Sequence, residues 1–215
     1  MPIRVLVADD HAVVRDGLKM ILESTQDIHV AAMAADGREA VAMAEELRPD
    51  VIIMDVSMPV LNGIEAARMI RERLPDIKVL VLSMHHTSEH VFRAMQAGAC
   101  GYLLKESAGS EVVTAVLSVM KGGYFFGKGV EKPLEPISRK AGEFLRSPLE
   151  TLSPREREVL QLVVEGMTSA GIAEILSLSP KSVETYRSRL MLKLGVANIP
   201  ALVRFAMQHG IIPVN

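Results

Sequence analysis

Five residues with the chemistry of an ionic site follow or close short apolar runs in this chain. Asp9 and Asp10 come directly after IRVLVA (3–8), Asp55 lies in VIIMDV (51–56), Ser83 ends KVLVLS (78–83) and Lys105 follows CGYLL (100–104). Three carboxylates drawn to one place would repel one another and raise one another's pKa unless a cation neutralised them. Oxygen ligands of this kind favour Mg²⁺, which accepts octahedral carboxylate, carbonyl and water ligation. An ammonium from Lys105 and a hydroxyl from Ser83 suit the charge that develops on a transferred phosphoryl group. A carboxylate can then act as nucleophile and give an aspartyl phosphate. Taken singly, each Asp reads more readily as a turn former or a helix N-cap than as a site residue, and the Lys as a solvated charge. The conjunction over four strand ends is what points to chemistry.

The elements that must position these residues are legible in the spacing. The runs at 3–8, 28–34, 51–56, 78–83 and 100–104 have no helical period, as strands buried on both faces should not. Between and after them, segments 12–24, 37–47, 62–73, 88–97 and 109–121 carry apolar residues at helical spacing. Five repeats of strand then helix predict an α/β doubly wound, five-stranded parallel sheet. Arg48-Pro49-Asp50 and Leu74-Pro75-Asp76 punctuate it before the third and fourth strands. Ligands of such sheets bind outside the carboxyl ends of the strands, where the five residues fall.

With Asp9-Asp10-His11, Met54-Asp55-Val56-Ser57-Met58-Pro59, Asn62-Gly63, Leu82-Ser83 and Gly101-Tyr102-Leu103-Leu104-Lys105 in this order, residues 1–121 resemble the receiver domain of bacterial two-component response regulators. The resemblance implies that Asp55 is the phosphoacceptor, and that Asp10, Asp55 and the Ser57 carbonyl bind Mg²⁺ while Asp9 acts through water. It implies that Ser83 and Lys105 engage the phosphoryl oxygens and that Tyr102 is a switch aromatic. His11, His85 and His86 lack a zinc spacing. His11 is expected to pack at the start of the first helix, and His85 to line the site entrance, placed to tune dephosphorylation. Cys100 is expected as a small buried residue, and Met20, Met33, Met43, Met69, Met95 and Met120 as core or helix-face packing.

Residues 121–149 break the alternation with Gly122, Gly123, Gly127 and Gly129, then Pro133, Pro136 and Pro148. A linker over 122–148 is expected, with one short helical turn near Ser138–Leu145. From Leu152 the chain reads as four helices. Ser153-Pro154-Arg155-Glu156 is a capping box with Pro at the first helical position. Ala173, a three-residue turn and Val183 have the spacing of a helix-turn-helix. Its second helix exposes Lys181, Glu184, Thr185, Arg187, Ser188 and Arg189 to a major groove, or to a protein partner.

Leu152-Ser153-Pro154-Arg155-Glu156, Gly166, Ile172-Ala173, Ser182-Val183-Glu184-Thr185-Tyr186-Arg187 and Lys193-Leu194-Gly195-Val196 make residues 149–215 similar to the all-α, four-helix LuxR-type domain of NarL/FixJ-class response regulators. That resemblance puts Glu184, Thr185 and Ser188 at the groove and Lys181, Arg187, Arg189 and Lys193 at the DNA backbone. It makes Ala201, Leu202 and Phe205 a dimer contact. Thr168-Ser169-Ala170-Gly171 departs from the polar residues usual there, and Gly171 weakens its helix by about 1 kcal/mol against Ala.

Composition narrows the class. The chain has 215 residues and a net charge of −2, which excludes a polybasic tail protein or an acidic disordered chain. The small sum hides a split: −6 over residues 1–120, +3 over 121–146 and +1 over 147–215. One cysteine and no run near the roughly 20 apolar residues of a membrane span predict a cytoplasmic, soluble protein. The expectation is a non-enzymatic, phosphorylation-controlled transcription regulator. Its partners would be a sensor histidine kinase, double-stranded DNA and, on phosphorylation, a second copy of itself, with no membrane. Two rivals stand beside it: an adaptor whose helical domain binds protein, and an aspartyl-phosphate phosphatase. A haloacid-dehalogenase-type enzyme needs Asp-x-Asp where this chain has adjacent Asp9-Asp10.

Overall fold

The computed structural model describes residues 1–131 and 148–212, which divide into two compact units. The helical turn expected near 138–145 lies outside the described residues. The first unit runs β1 (Ile3–Ala8), α1 (Ala12–Leu22), β2 (Ile28–Ala34), α2 (Gly37–Leu47), β3 (Val51–Asp55), α3 (Gly63–Arg73), β4 (Lys78–Ser83), α4 (Ser88–Gln96), β5 (Gly101–Leu104), α5 (Ala108–Met120) and β6 (Phe125–Phe126). The first five strands and five helices fall within two residues of their expected bounds.

All neighbouring strands are parallel, in the order β2-β1-β3-β4-β5-β6. The sheet therefore has six strands where five were expected. The sixth comes from the segment read as linker: the chain turns at Gly122, whose φ is +84°, and Phe125 and Phe126 pair with Gly101 and Tyr102. Two β-favouring aromatics on an open sheet edge are enough to add a strand, but too few to show a period.

Alternation along the strands divides the core. Val5, Val7, Val51, Ile53, Leu80, Leu82 and Leu103 pack with Leu18 and Leu22 of α1 and Val112, Val116 and Val119 of α5. The alternate residues Leu6, Ile52, Met54, Val81 and Tyr102 are as deeply buried and belong to the opposite face, with α2, α3 and α4. Two expectations about soft residues need correction. Met20 and Met120 are exposed, because each sits on the outer side of its helix, and Met33 lies on β2; only Met95 of the six is buried. Cys100 is half-buried, just before β5.

The strand order reverses between β1 and β3, so their carboxyl ends splay apart and leave a crevice. Asp9 and Asp10 come from one lip and Asp55 from the other. The β3–α3 connection closes tightly over it. Gly63 N–H donates to the Val56 carbonyl at 3.0 Å, and a Cβ on Gly63 would lie 1.9 Å from the Asp55 carbonyl oxygen.

The second unit begins with a 3₁₀ turn (Pro148–Thr151) and continues with α6 (Pro154–Val164), α7 (Ser169–Leu176), α8 (Pro180–Leu194) and α9 (Ile199–Gln208). Its helix starts are those the side chains dictate. Ser153 and Glu156 form the reciprocal capping box, Thr168 caps Gly171, Ser179 caps Ser182 and Asn198 caps Ala201. Ala173 and Val183 are buried together with Val159, Leu160, Leu190 and Leu202, which fixes α8 against α7 and α6. Among the described residues no single helix is long and apolar enough to cross a membrane.

Candidate functional site

The crevice gathers the carboxylates that the strand pattern predicts. Asp9 and Asp55 are fully buried and Asp10 is exposed. Lys105 Nζ lies 2.8 Å from Asp9 Oδ2 and 2.8 Å from Asp55 Oδ2, bridging the two lips. Burial pushes the Asp55 carboxyl up to about 6, and the ammonium beside it pulls the other way. For Lys105, burial favours the neutral amine, but Asp55 and Asp9 outweigh it and hold the ammonium above its usual range. The Ser57 backbone N–H is also bonded to the Asp55 carboxylate.

Residues that spacing did not reveal complete this site. His11 was expected to pack at the start of α1. It is instead exposed, with Nδ1 2.7 Å from Asp10 Oδ1 and 3.2 Å from Asp9 Oδ1. Its position as N-cap of α1 turns the ring back over the carboxylates. Its backbone N–H donates to Asp9 Oδ1 at 2.9 Å, and Arg15 Nη1 donates to the Asp9 carbonyl at 2.6 Å. Arg15 lies one helical turn beyond His11, the only signal it gave.

Ligand atoms of Asp9, Asp10, His11 and Asp55 all lie within 4.8 Å of one another. Three carboxylates against one ammonium leave two negative charges, which fits one divalent cation. The donors are oxygens apart from the imidazole, the set of a hard ion.

Beside the crevice, hydrogen bonds join Ser83, His85 and Tyr102. His85 N–H donates to Ser83 Oγ at 3.0 Å and Tyr102 Oη donates to the His85 carbonyl at 2.7 Å, so the His85 backbone links the two side chains. Tyr102 is fully buried, which pushes its phenol up to about 12 while Ser83 opposes the rise. The His85 ring stacks on His90 with centroids 4.5 Å apart, so it packs on α4.

In the second unit, α8 turns Val183 and Leu190 inward and leaves Lys181, Glu184, Thr185, Ser188 and Arg189 exposed, with Arg187 half-buried. Thr185 Oγ1 and Ser188 Oγ donate to the carbonyls one turn back, of Lys181 and Glu184. The Glu184 carboxylate accepts from Ser169 Oγ and lies 3.9 Å from Arg187.

Lys193 makes an ion pair within its own unit. Its Nζ lies 2.7 Å from Glu156 Oε2 of the capping box. Burial works against the Glu156 charge, but Lys193 and Ser153 together hold its carboxyl below the usual range. Leu202 is also corrected: it is wholly buried in the core of its own unit, which leaves Ala201 and Phe205 of the expected dimer contact.

Residues 5–117 match the response regulator receiver domain, and residues 150–206 match the bacterial regulatory proteins of the luxR family. The chain belongs to the response regulators with a luxR-type output domain. The response regulator is 38% identical to the transcriptional regulatory protein MctR of Rhizobium johnstonii, over 98% of this chain and 95% of that protein. It is 37% identical to response regulator UvrY of Escherichia coli, over 97% and 95%. Among solved structures, RcsB of Salmonella typhimurium is 29% identical with a TM-score of 0.57, covering 96% of this chain and 98% of that one. An RcsB–DNA complex is 28% identical with a TM-score of 0.58, covering 95% and 98%. The response regulator is thus a DNA-binding transcription regulator and not an enzyme, which sets aside both the phosphatase and the adaptor.

Proposed function

We propose that this response regulator takes a phosphoryl group on Asp55 from a sensor histidine kinase and that the modification favours a dimer bound to operator DNA. The observation that carries the reading is Lys105 bridging Asp9 and Asp55 at the switch point, with its backbone N–H bonded to the Ser83 carbonyl of the neighbouring strand. Asp10, Asp55 and the Ser57 carbonyl would hold Mg²⁺, with Asp9 acting through water. When bound, the ion supplies charge neutralisation for the incoming phosphoryl oxygens. Lys105 exchanges its contact with Asp55 for one with the phosphoryl group. Ser83 Oγ accepts from His85 N–H, and turning it toward a phosphoryl oxygen breaks that bond. Phosphorylation therefore loosens the link through His85 to Tyr102 and shifts the balance of conformations around β4 and β5.

On the output side, Glu184, Thr185 and Ser188 face the bases and Lys181, Arg187 and Arg189 the phosphates. The hydroxyls of Thr185 and Ser188 are satisfied within the helix until a base edge competes for them. Lys193 is left out of this surface because its charge is spent on Glu156. The single cysteine fits a reducing compartment such as the cytoplasm. With acetyl phosphate or a kinase and Mg²⁺, wild-type protein is expected to gain label from the phosphodonor and to bind operator more tightly, whereas Asp55→Asn does neither. Full labelling of Asp55→Asn would place the phosphoryl group elsewhere.

A further inference from the structure

The helix that follows the Ser83–His85 loop is not capped by its own N-cap residue. Thr87 precedes α4 in extended backbone and makes no side-chain bond to the helix amides; its Oγ1 is instead 2.8 Å from His90 Nδ1. The first helical amide, Ser88 N–H, donates to Glu131 Oε2 at 3.1 Å, 43 residues further along the chain. Glu131 N–H reaches the His86 carbonyl at 3.4 Å. A carboxylate in this place satisfies an orphan amide and complements the helix dipole.

The segment that carries Glu131 is fastened to the sheet and to α5. Phe125 N–H donates to the Cys100 carbonyl at 3.1 Å and Gly127 N–H to the Tyr102 carbonyl at 2.9 Å. Lys128 N–H donates to the Glu111 carboxylate at 3.2 Å, and Ser107 Oγ donates to the same carboxylate at 2.7 Å. A Cβ at Gly127 would lie 2.9 Å from Glu111 Oε2, so a larger residue there would have to displace the carboxylate. One stretch of seven residues thus bonds both the backbone of Tyr102 and the start of α4. These two elements flank His85, which links Ser83 to Tyr102.

We propose that residues 125–131 are a latch that reads the state of the Ser83–His85–Tyr102 link and passes it to the chain beyond, with Glu131 as a positioning residue that acts through α4. The latch rests on the reading of Asp55 as phosphoacceptor. Breaking the link frees the His85 loop, moves Ser88 away from Glu131 and releases the segment that leads to the output domain.

Hydrogen exchange on the full chain tests this, with and without acetyl phosphate and Mg²⁺. Without the donor, Glu131→Ala is expected to speed exchange of the first-turn amides of α4 about five-fold, the equilibrium factor of a lost helix cap. Glu131→Gln keeps an acceptor and restores protection. With the donor, wild type is expected to change at both 83–90 and 125–131, and Asp55→Asn at neither. Glu131→Ala should keep the change at 83–90 and lose it at 125–131, a readout that a purely structural role would not move. A wild-type change at 83–90 with 125–131 unmoved overturns the latch and leaves the Asp55 reading standing. No wild-type change in either segment overturns both. Unaltered α4 exchange in Glu131→Ala overturns the role of Glu131.

Discussion

Asp55 carries its charge at a cost in the ion-free protein, because its burial is offset only in part by Lys105. Its folded pKa of about 6 lies above the ordinary 3.8, so the folded state binds this proton more tightly than the unfolded chain does. The stabilisation from that proton is fully present below pH 3.8 and is lost as pH rises through about 6. In EDTA, urea melts of the wild type are therefore expected to lose up to about 3 kcal/mol from this group between pH 4 and 7, two pKa units at 1.36 kcal/mol each. Asp55→Asn has no proton to lose, and its curve should be flatter over this window by that amount. Added Mg²⁺ should stabilise the wild type at pH 7.5 and do much less for the variant. Parallel pH curves for the two proteins would show that another group sets the dependence. The aspartates were legible from sequence because each ends a strand. His11 and Arg15 were not, since their contacts with Asp9 and Asp10 depend on how α1 leaves β1 rather than on any residue pattern.

Two glycines show how differently the elements tolerate change. Gly63 starts α3 where a side-chain carbon would meet backbone at 1.9 Å, the carbonyl of Asp55 itself. Neither side can yield without moving the end of β3, so Gly63→Ala should cost about 3 kcal/mol, at the upper end for overpacking. It should also lower the rate of phosphoryl uptake, measured with acetyl phosphate under conditions where the variant remains folded. Gly171 lies in the first turn of α7, where a Cβ would meet only Thr168 Oγ1, at an ordinary 3.5 Å. There the propensity term is uncontested, and Gly171→Ala should stabilise the second unit by up to about 1 kcal/mol, read as a rise of some 4–8 °C in its melting temperature. A fall would mean that the backbone there needs glycine. The start of α6 was the most legible, since Ser153 and Glu156 announce a capping box; the caps by Thr168, Ser179 and Asn198 are seen in the structure. β6 and the cap on α4 were hidden for the opposite reason. A two-residue strand has no period, and Glu131 reaches Ser88 across 43 residues.

At the scale of the whole molecule the charge is divided between the parts, with −6 over residues 1–120 and only +1 over 147–215. An output domain so nearly neutral gains little from bulk attraction to DNA, and its affinity must come from where a few cations stand. Lys181 and Arg189 are exposed on α8 and Arg187 is half-buried there, whereas Lys193 is bound to Glu156 in the capping box. Three phosphates engaged by each half of a dimer would release about six counterions, giving a slope of log affinity against log salt near −5. Gel-shift titrations from 50 to 200 mM salt can separate these two kinds of cation. Arg189→Ala should weaken binding on all duplexes alike and flatten the slope by about 2, because each half of the dimer then neutralises one phosphate fewer. Lys193→Ala should leave the slope unchanged and instead lower the thermal stability of the second unit. The loss would be about 1 kcal/mol, since the lysine is 41% exposed and solvent screens its pair. A shallower slope for Lys193→Ala would show that the ion pair breaks on DNA and that Lys193 contacts phosphate after all.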